Sequence, residues 1–128
     1  MKIHNTVPLA LIAIVLSLFL AGCGSTPDVD LNAYNKEIDK IVKDSLGVVR
    51  KVDKEAGDWS VFYVTVSSDW YNTTETNKKR LAAMLHQKIL QAANSAGAKR
   101  NVIMVVIKDQ NGIKVAEVNA SGDVEIKM

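Results

Sequence analysis

The chain has one cysteine, Cys23, and two histidines, His4 and His86, in 128 residues. A single thiol forms no intrachain disulfide, and a lone histidine beside it builds no usual zinc site. Charge of either sign is also scarce in excess: 16 lysines and arginines stand against 14 aspartates and glutamates. Nothing in that balance carries the basic footprint of a nucleic-acid binder or a polybasic membrane patch. No G-x-S-x-G context surrounds any serine, so the usual nucleophile elbow is missing. The two halves of the chain share a plan of helix then strands, without a residue-level repeat. Stability must come from an apolar core.

What is present begins at the amino terminus. Met1–Thr6 is a short polar head whose firm positive charges are Lys2 and the terminus itself. Val7–Leu20, VPLALIAIVLSLFL, has no charge and only Ser17 as a polar side chain, and Ala21 and Gly22 follow it. Basic head, apolar middle and small-residue exit are the three parts of a secretory signal peptide. The run is shorter than the roughly 20 residues a spanning helix needs, which weighs against an uncleaved anchor helix. An ordinary buried thiol at Cys23 is the other plain alternative, and its position just after the run argues against it.

Leu20-Ala21-Gly22-Cys23 resembles the lipobox of bacterial lipoproteins: a leucine and two small residues before a cysteine. The resemblance covers only the first 23 residues. It implies cleavage between Gly22 and Cys23, a diacylglyceryl group on the Cys23 sulfur, and often an acyl group on the new amino terminus. A thiolate is the side chain suited to forming such a thioether, and two or three acyl chains meet the requirement for stable anchoring. It further implies an extracytoplasmic location. With Gly24 after the cysteine, that is the outer membrane of a Gram-negative cell, or the outer face of the plasma membrane of a Gram-positive one. The chain then divides into a signal peptide (1–22), a lipidated cysteine with its tether (23–30), and a single α+β domain (31–128). Without Lys2, 15 basic residues face 14 acidic ones. The tether, Gly24–Asp30, reaches roughly 25 Å at about 3.5 Å per residue.

In the remaining chain, Leu31, Tyr34, Ile38, Ile41, Val42 and Leu46 fall at helical spacing. Asp30 is placed to cap that helix and Gly47 to close it. Its other face, with Lys36, Glu37, Lys40, Lys43 and Asp44, reads as solvated. A basic membrane-lying helix is the sharper alternative, opposed by Glu37, Asp39 and Asp44. Val48–Glu55 reads as a modest strand. Trp59–Ser67 reads as a strong one, with Phe62, Val64 and Val66 on one side and Val61, Tyr63 and Thr65 on the other. Apolar residues on both sides predict a central strand covered twice. Leu81, Met84, Leu85, Ile89 and Ala92 form the stripe of a long helix ending at Gly97. Asn72 with Glu75 predicts a capping box, with Thr73 or Thr74 as the alternative cap. Asn101–Asp109 is apolar enough for a buried central strand. Asn111-Gly112 predicts a two-residue hairpin turn with positive φ at both positions, returning through Ile113–Val118. Val124–Lys127 makes a short last strand. The fold class is α+β: one four- to five-stranded sheet, in the order helix-strand-strand-helix-strand-strand, with a long helix packed on it. The first helix is expected on the second sheet face, closing a monomer; failing that, a partner covers it.

Candidate chemistry is sparse. His86 reads as a surface or boundary residue of the long helix, about five turns from the Ser67-Ser68-Asp69 junction. Those three residues suit a turn and cap better than a nucleophile site. Asp109-Gln110-Asn111-Gly112 resembles the start of a calcium loop, but Ile113 fills the next ligand position and the set fails. Lys78, Lys79 and Arg80, with Lys99 and Arg100 beyond the helix, read as solvated charge; an anionic-lipid contact is the sharper option. Asn72-Thr73-Thr74 matches a glycosylation sequon without meaning in a bacterial envelope. Trp70 and Tyr71 are expected under the helix entrance, or else as a ligand or partner surface. No catalytic residue, metal or cofactor is expected. The domain resembles small envelope lipoproteins of unknown function. The leading expectation is therefore a non-enzymatic, membrane-anchored binding or structural module with an envelope protein as partner. A small envelope enzyme or ligand-binding protein using the Trp70-Tyr71 loop, and a prophage- or plasmid-borne exclusion lipoprotein, are the alternatives.

Overall fold

The computed structural model describes residues 29–127. The expected signal peptide, the expected Gly22-Cys23 cleavage site and most of the expected tether lie outside the described residues. In chain order the elements are α1 (Leu31–Asp44), β1 (Val49–Lys54), β2 (Val61–Val66), a 3₁₀ turn (Ser68–Asn72), α2 (Glu75–Ser95), β3 (Met104–Lys108), β4 (Lys114–Val118) and β5 (Val124–Ile126). The sheet order is β1-β2-β3-β4-β5. β2 and β3 run parallel, joined by the α2 crossover that parallel neighbours require. Every other pair is antiparallel. A third strand after α2 thus extends the expected order by one.

α1 begins where the Asp30 side chain accepts a hydrogen bond from the Ala33 N–H at 3.1 Å. It turns Tyr34, Ile38 and Ile41 inward. Its two expected end contacts are not made: Leu31 is 57% exposed and Leu46 is 88% exposed. The helix stops at Asp44, and Leu46 (φ 56°) and Gly47 (φ 95°) both take left-handed backbone, which swings Leu46 out of the stripe. α2 is capped by Thr74, whose Oγ1 accepts from the Asn77 N–H at 3.1 Å. Asn72 instead belongs to the 3₁₀ turn, so the Asn72–Glu75 capping box does not form. α2 buries Ala82, Leu85, Ile89, Ala92 and Ala93. Met84, expected in the stripe, is exposed. The buried residues centre between Leu85 and Ile89 on the helix surface, and at about 100° per residue Met84 falls outside that arc.

Both helices pack on the same sheet face. Phe62, Val64, Val66, Val105, Ile107 and Val118 are fully enclosed in one cluster with Tyr34, Ile38, Leu85 and Ile89. The register pairs Phe62 with Val105 and Val64 with Ile107. Val61, Tyr63 and Thr65 therefore share the opposite face with Met104, Val106 and Lys108, and they are half-buried. This corrects the expectation of a first helix on the second face and of a strand covered twice. That face also carries Lys51, Asp53, Lys114, Glu117 and Glu125 by register. Covering so many charged groups would strip their water. Instead they pair with one another in solvent, Lys51 with Asp53 at 3.5 Å and Lys114 with Glu117 at 2.7 Å. α1 finds its apolar partners against α2 and β1.

Candidate functional site

Because β2 and β3 are parallel, both finish at one end of the sheet, where loops carry side chains free of sheet packing. The β1 entry loop and the β3–β4 hairpin meet there too. Ser67 N–H donates to the Val48 carbonyl at 2.8 Å, joining the β2 exit to the loop from α1.

Asp109 is the hub of this end, only 8% exposed. Its Oδ1 accepts from the Asn111 N–H at 2.8 Å and the Ile113 N–H at 3.0 Å. Its Oδ2 accepts from the Tyr71 hydroxyl at 2.7 Å. Gly112 N–H donates to the Asp109 carbonyl at 3.0 Å, and Asp109 N–H to the Ile113 carbonyl at 2.9 Å. Only Gly112 of the turn has positive φ, 85°. The connection is a three-residue Gln110-Asn111-Gly112 loop, a type I turn followed by a left-handed glycine. The expected two-residue turn with positive φ at Asn111 is corrected. The Asp109 carboxylate holds the Asn111 and Ile113 amides and so favours the longer loop.

The Tyr71 hydroxyl, then the Ile113 amide, hold the Asp109 carboxyl below the usual carboxylate range. The same bond to Asp109 raises the Tyr71 hydroxyl above its ordinary value. Three donors surround an ionised, enclosed carboxylate, which suits it to fixing loops and not to accepting a substrate proton. The aromatic pair is split: Trp70 is 1% exposed within the core, with the Lys78 ammonium 5.8 Å from its ring centre, while Tyr71 is 54% exposed. Of the expected pair, only Tyr71 reaches the surface.

The other expected residues lie apart or serve the backbone. Ser67 Oγ accepts from the Asp69 N–H at 3.3 Å and caps the 3₁₀ turn. His86 Nε2 lies 2.9 Å from the Ile103 carbonyl oxygen. A carbonyl accepts only, so that nitrogen carries the hydrogen of the bond. His86 is about 16 Å along α2 from its start, at 1.5 Å per residue. It shares no site with Ser67. Among the described residues, no group of three or more His, Cys, Asp or Glu side chains is placed to hold a metal ion. None of the described helices is long and apolar enough to cross a membrane. No protein-family model, curated protein or solved structure matches the chain.

Two features escaped the residue pattern. A groove of about 280 Å³ runs between α1 and α2, lined by Glu37, Lys40, Ile41, Asp44, Lys88 and Gln91. Its charges alternate in sign, and Lys40 pairs with Glu37 at 3.1 Å. The second feature is three exposed apolar side chains on loops at the Asp109 end: Leu46, Tyr71 and Ile113, the last 59% exposed. Leu46 reads as core by spacing and Ile113 as the start of a strand. The one local signal was Gly47, whose place after Leu46 marks a left-handed helix exit. Together the three side chains offer apolar surface at this end of the domain.

Proposed function

We propose that this is a lipid-anchored protein of the bacterial cell envelope, held by acyl chains on Cys23, that acts as a non-enzymatic binding or structural module through its surface. The observation that carries the reading is Leu20-Ala21-Gly22-Cys23, closing an uncharged apolar run and holding the chain's single cysteine. The arrangement of the described residues supports it. Asp30 N–H donates to the Ala96 carbonyl at 2.8 Å, so the tether leaves from the end of α2. The exposed apolar loops lie at the other end, where a membrane-held domain would present them to its surroundings.

Mass spectrometry of the mature protein from its native host tests this. The expected species begins at Cys23 and carries acyl chains, and Cys23→Ala yields a membrane-held precursor or a soluble product. An amino terminus elsewhere, or an unmodified Cys23, removes the anchor.

A further inference from the structure

The two ends of the described domain are unlike, and α2 measures the distance between them. The helix starts at Glu75, next to the exit of β2, and ends at Ser95, beside the Ala96 carbonyl that holds Asp30. At 1.5 Å per residue, the tether end and the Asp109 end are about 30 Å apart. Among the described residues, three of the six exposed large apolar side chains, Leu46, Tyr71 and Ile113, sit at the Asp109 end, and Leu31 and Val102 lie at the tether end. The Tyr71 hydroxyl and the Ile113 backbone amide both donate to Asp109, which ties the two loops together. Leu46 is the most telling. It is 88% exposed, and at φ 56° it holds a conformation that L side chains other than Asn and Asp rarely adopt. The core gains nothing from a leucine there, and the backbone would prefer glycine or asparagine.

Charge divides in the same way. Lys43, Arg50, Lys78 and Lys108 flank the Asp109 end without an ion-pair partner among the described residues, Lys78 and Lys108 lying over the Trp70 and Tyr63 rings, against Asp44, Asp69 and Asp109. At the tether end, Asp30, Glu55, Asp58 and Asp123 stand against Lys54, Lys99 and Arg100. The far end is thus an apolar tip in a basic frame. Two copies meeting tip to tip would bring like charges together. A domain standing on its tether carries this end about 30 Å away from the anchoring bilayer, and a fully extended Gly24–Asp30, roughly 25 Å, is too short to turn it over.

We propose that Leu46, Tyr71 and Ile113 form the docking tip for a second envelope protein, one that presents an apolar recess rimmed by carboxylates. The choice of a protein over the anchoring membrane rests on the lipid anchor at Cys23. The tip inserts its three side chains, and Lys43, Arg50, Lys78 and Lys108 meet the acidic rim.

The test places a photo-crosslinking residue at position 46 or 113 of the full chain in its native host, with exposed position 84 as control. One protein adduct shared by 46 and 113 and absent from 84 is expected, with acidic residues flanking the crosslinked peptide of the partner. Arg50→Glu with Lys108→Glu should lower its yield at least fivefold. Leu46→Asn should do the same to the adduct from 113 while leaving the melting temperature equal or higher, which separates lost docking from lost folding. The proposal is overturned by adducts between copies of this chain, by lipid adducts, by equal labelling from 84, or by no adduct. It is also overturned if Leu46→Asn leaves the yield unchanged. The amino-terminal mass reads the anchor separately: an unlipidated Cys23 with the shared adduct intact removes the anchor and keeps the tip.

Discussion

Replacing Tyr34 with phenylalanine should make this protein more stable. Tyr34 is 6% exposed on the inner face of α1, edge-on to Trp59 at 4.9 Å between ring centres and 6.3 Å from Phe62. Its ring is well used, but its hydroxyl is enclosed without a hydrogen-bond partner among the described residues. A buried hydroxyl that gives up water for nothing forfeits about 1–3 kcal/mol. Phenylalanine keeps the ring contacts and discards that loss, so a gain of about 1 kcal/mol is expected, or about 4–8 °C for a domain of this size. The pH dependence supplies a second, independent reading. Burial, and then the charge of Asp53, push the Tyr34 hydroxyl up to about 12. In the unfolded chain the same group ionises near 10. Below pH 10 both states keep the proton and the wild type has its full stability. Between 10 and 12 only the unfolded state releases it, so wild-type stability falls as pH rises. Allowing for partial solvent screening, the fall is on the order of 1–2 kcal/mol. Urea unfolding of both proteins, at pH 7 and at steps from pH 9 to 11.5, isolates this effect, because every other titratable group is common to the two. The advantage of Tyr34→Phe should be present at pH 7 and widen above pH 10. A variant less stable than wild type at pH 7 would mean that the hydroxyl is bonded after all. A constant difference across the alkaline range would refute the burial argument.

Gly112→Val should destabilise by about 1–2 kcal/mol through left-handed strain alone, since nothing lies within 4 Å of a Cβ built there. Asn111→Val, at negative φ in the three-residue loop, should be much milder in thermal melts; equal losses would restore the two-residue turn. Asp109→Asn should weaken the acid dependence of stability. The depressed Asp109 carboxyl stabilises the fold above about pH 4 and ceases to do so as pH falls through its folded value. Acid unfolding monitored by tryptophan fluorescence should therefore be less steep in the variant, and identical profiles would exclude the role. Leu46→Asn should raise stability by roughly 0.5–1 kcal/mol by relieving the left-handed leucine; a loss in chemical denaturation would show that Leu46 packs against the domain.

The elements were largely legible because their signals are local. Periods of two and of about three and a half residues mark strands and helices wherever they occur, and Asp30 caps α1 with the few atoms next to it in the chain. The proposed anchor at Cys23 rests on a linear pattern alone, Leu20-Ala21-Gly22-Cys23, which is read without reference to the fold. Boundaries were harder. Leu46 keeps the spacing of a core residue, yet two consecutive left-handed residues end the stripe before it. Thr74 and not Asn72 caps α2, because the intervening chain first closes a 3₁₀ turn.

What the amino-acid sequence determines by itself is therefore the set of segments that become helix or strand, the apolar side of each, and the place of the cysteine. The tertiary structure decides which sides meet. The parallel pairing of β2 with β3 brings Tyr71 to Asp109 across 38 positions, and it turns Val61, Tyr63 and Thr65 toward the charged face. It also sends α1 to the face already held by α2. Trp70 enters the core while its neighbour Tyr71 stays in solvent. Each outcome compares the desolvation of groups far apart in sequence: an apolar stripe gains from any apolar surface, and only the assembled sheet shows which surface is free of charge.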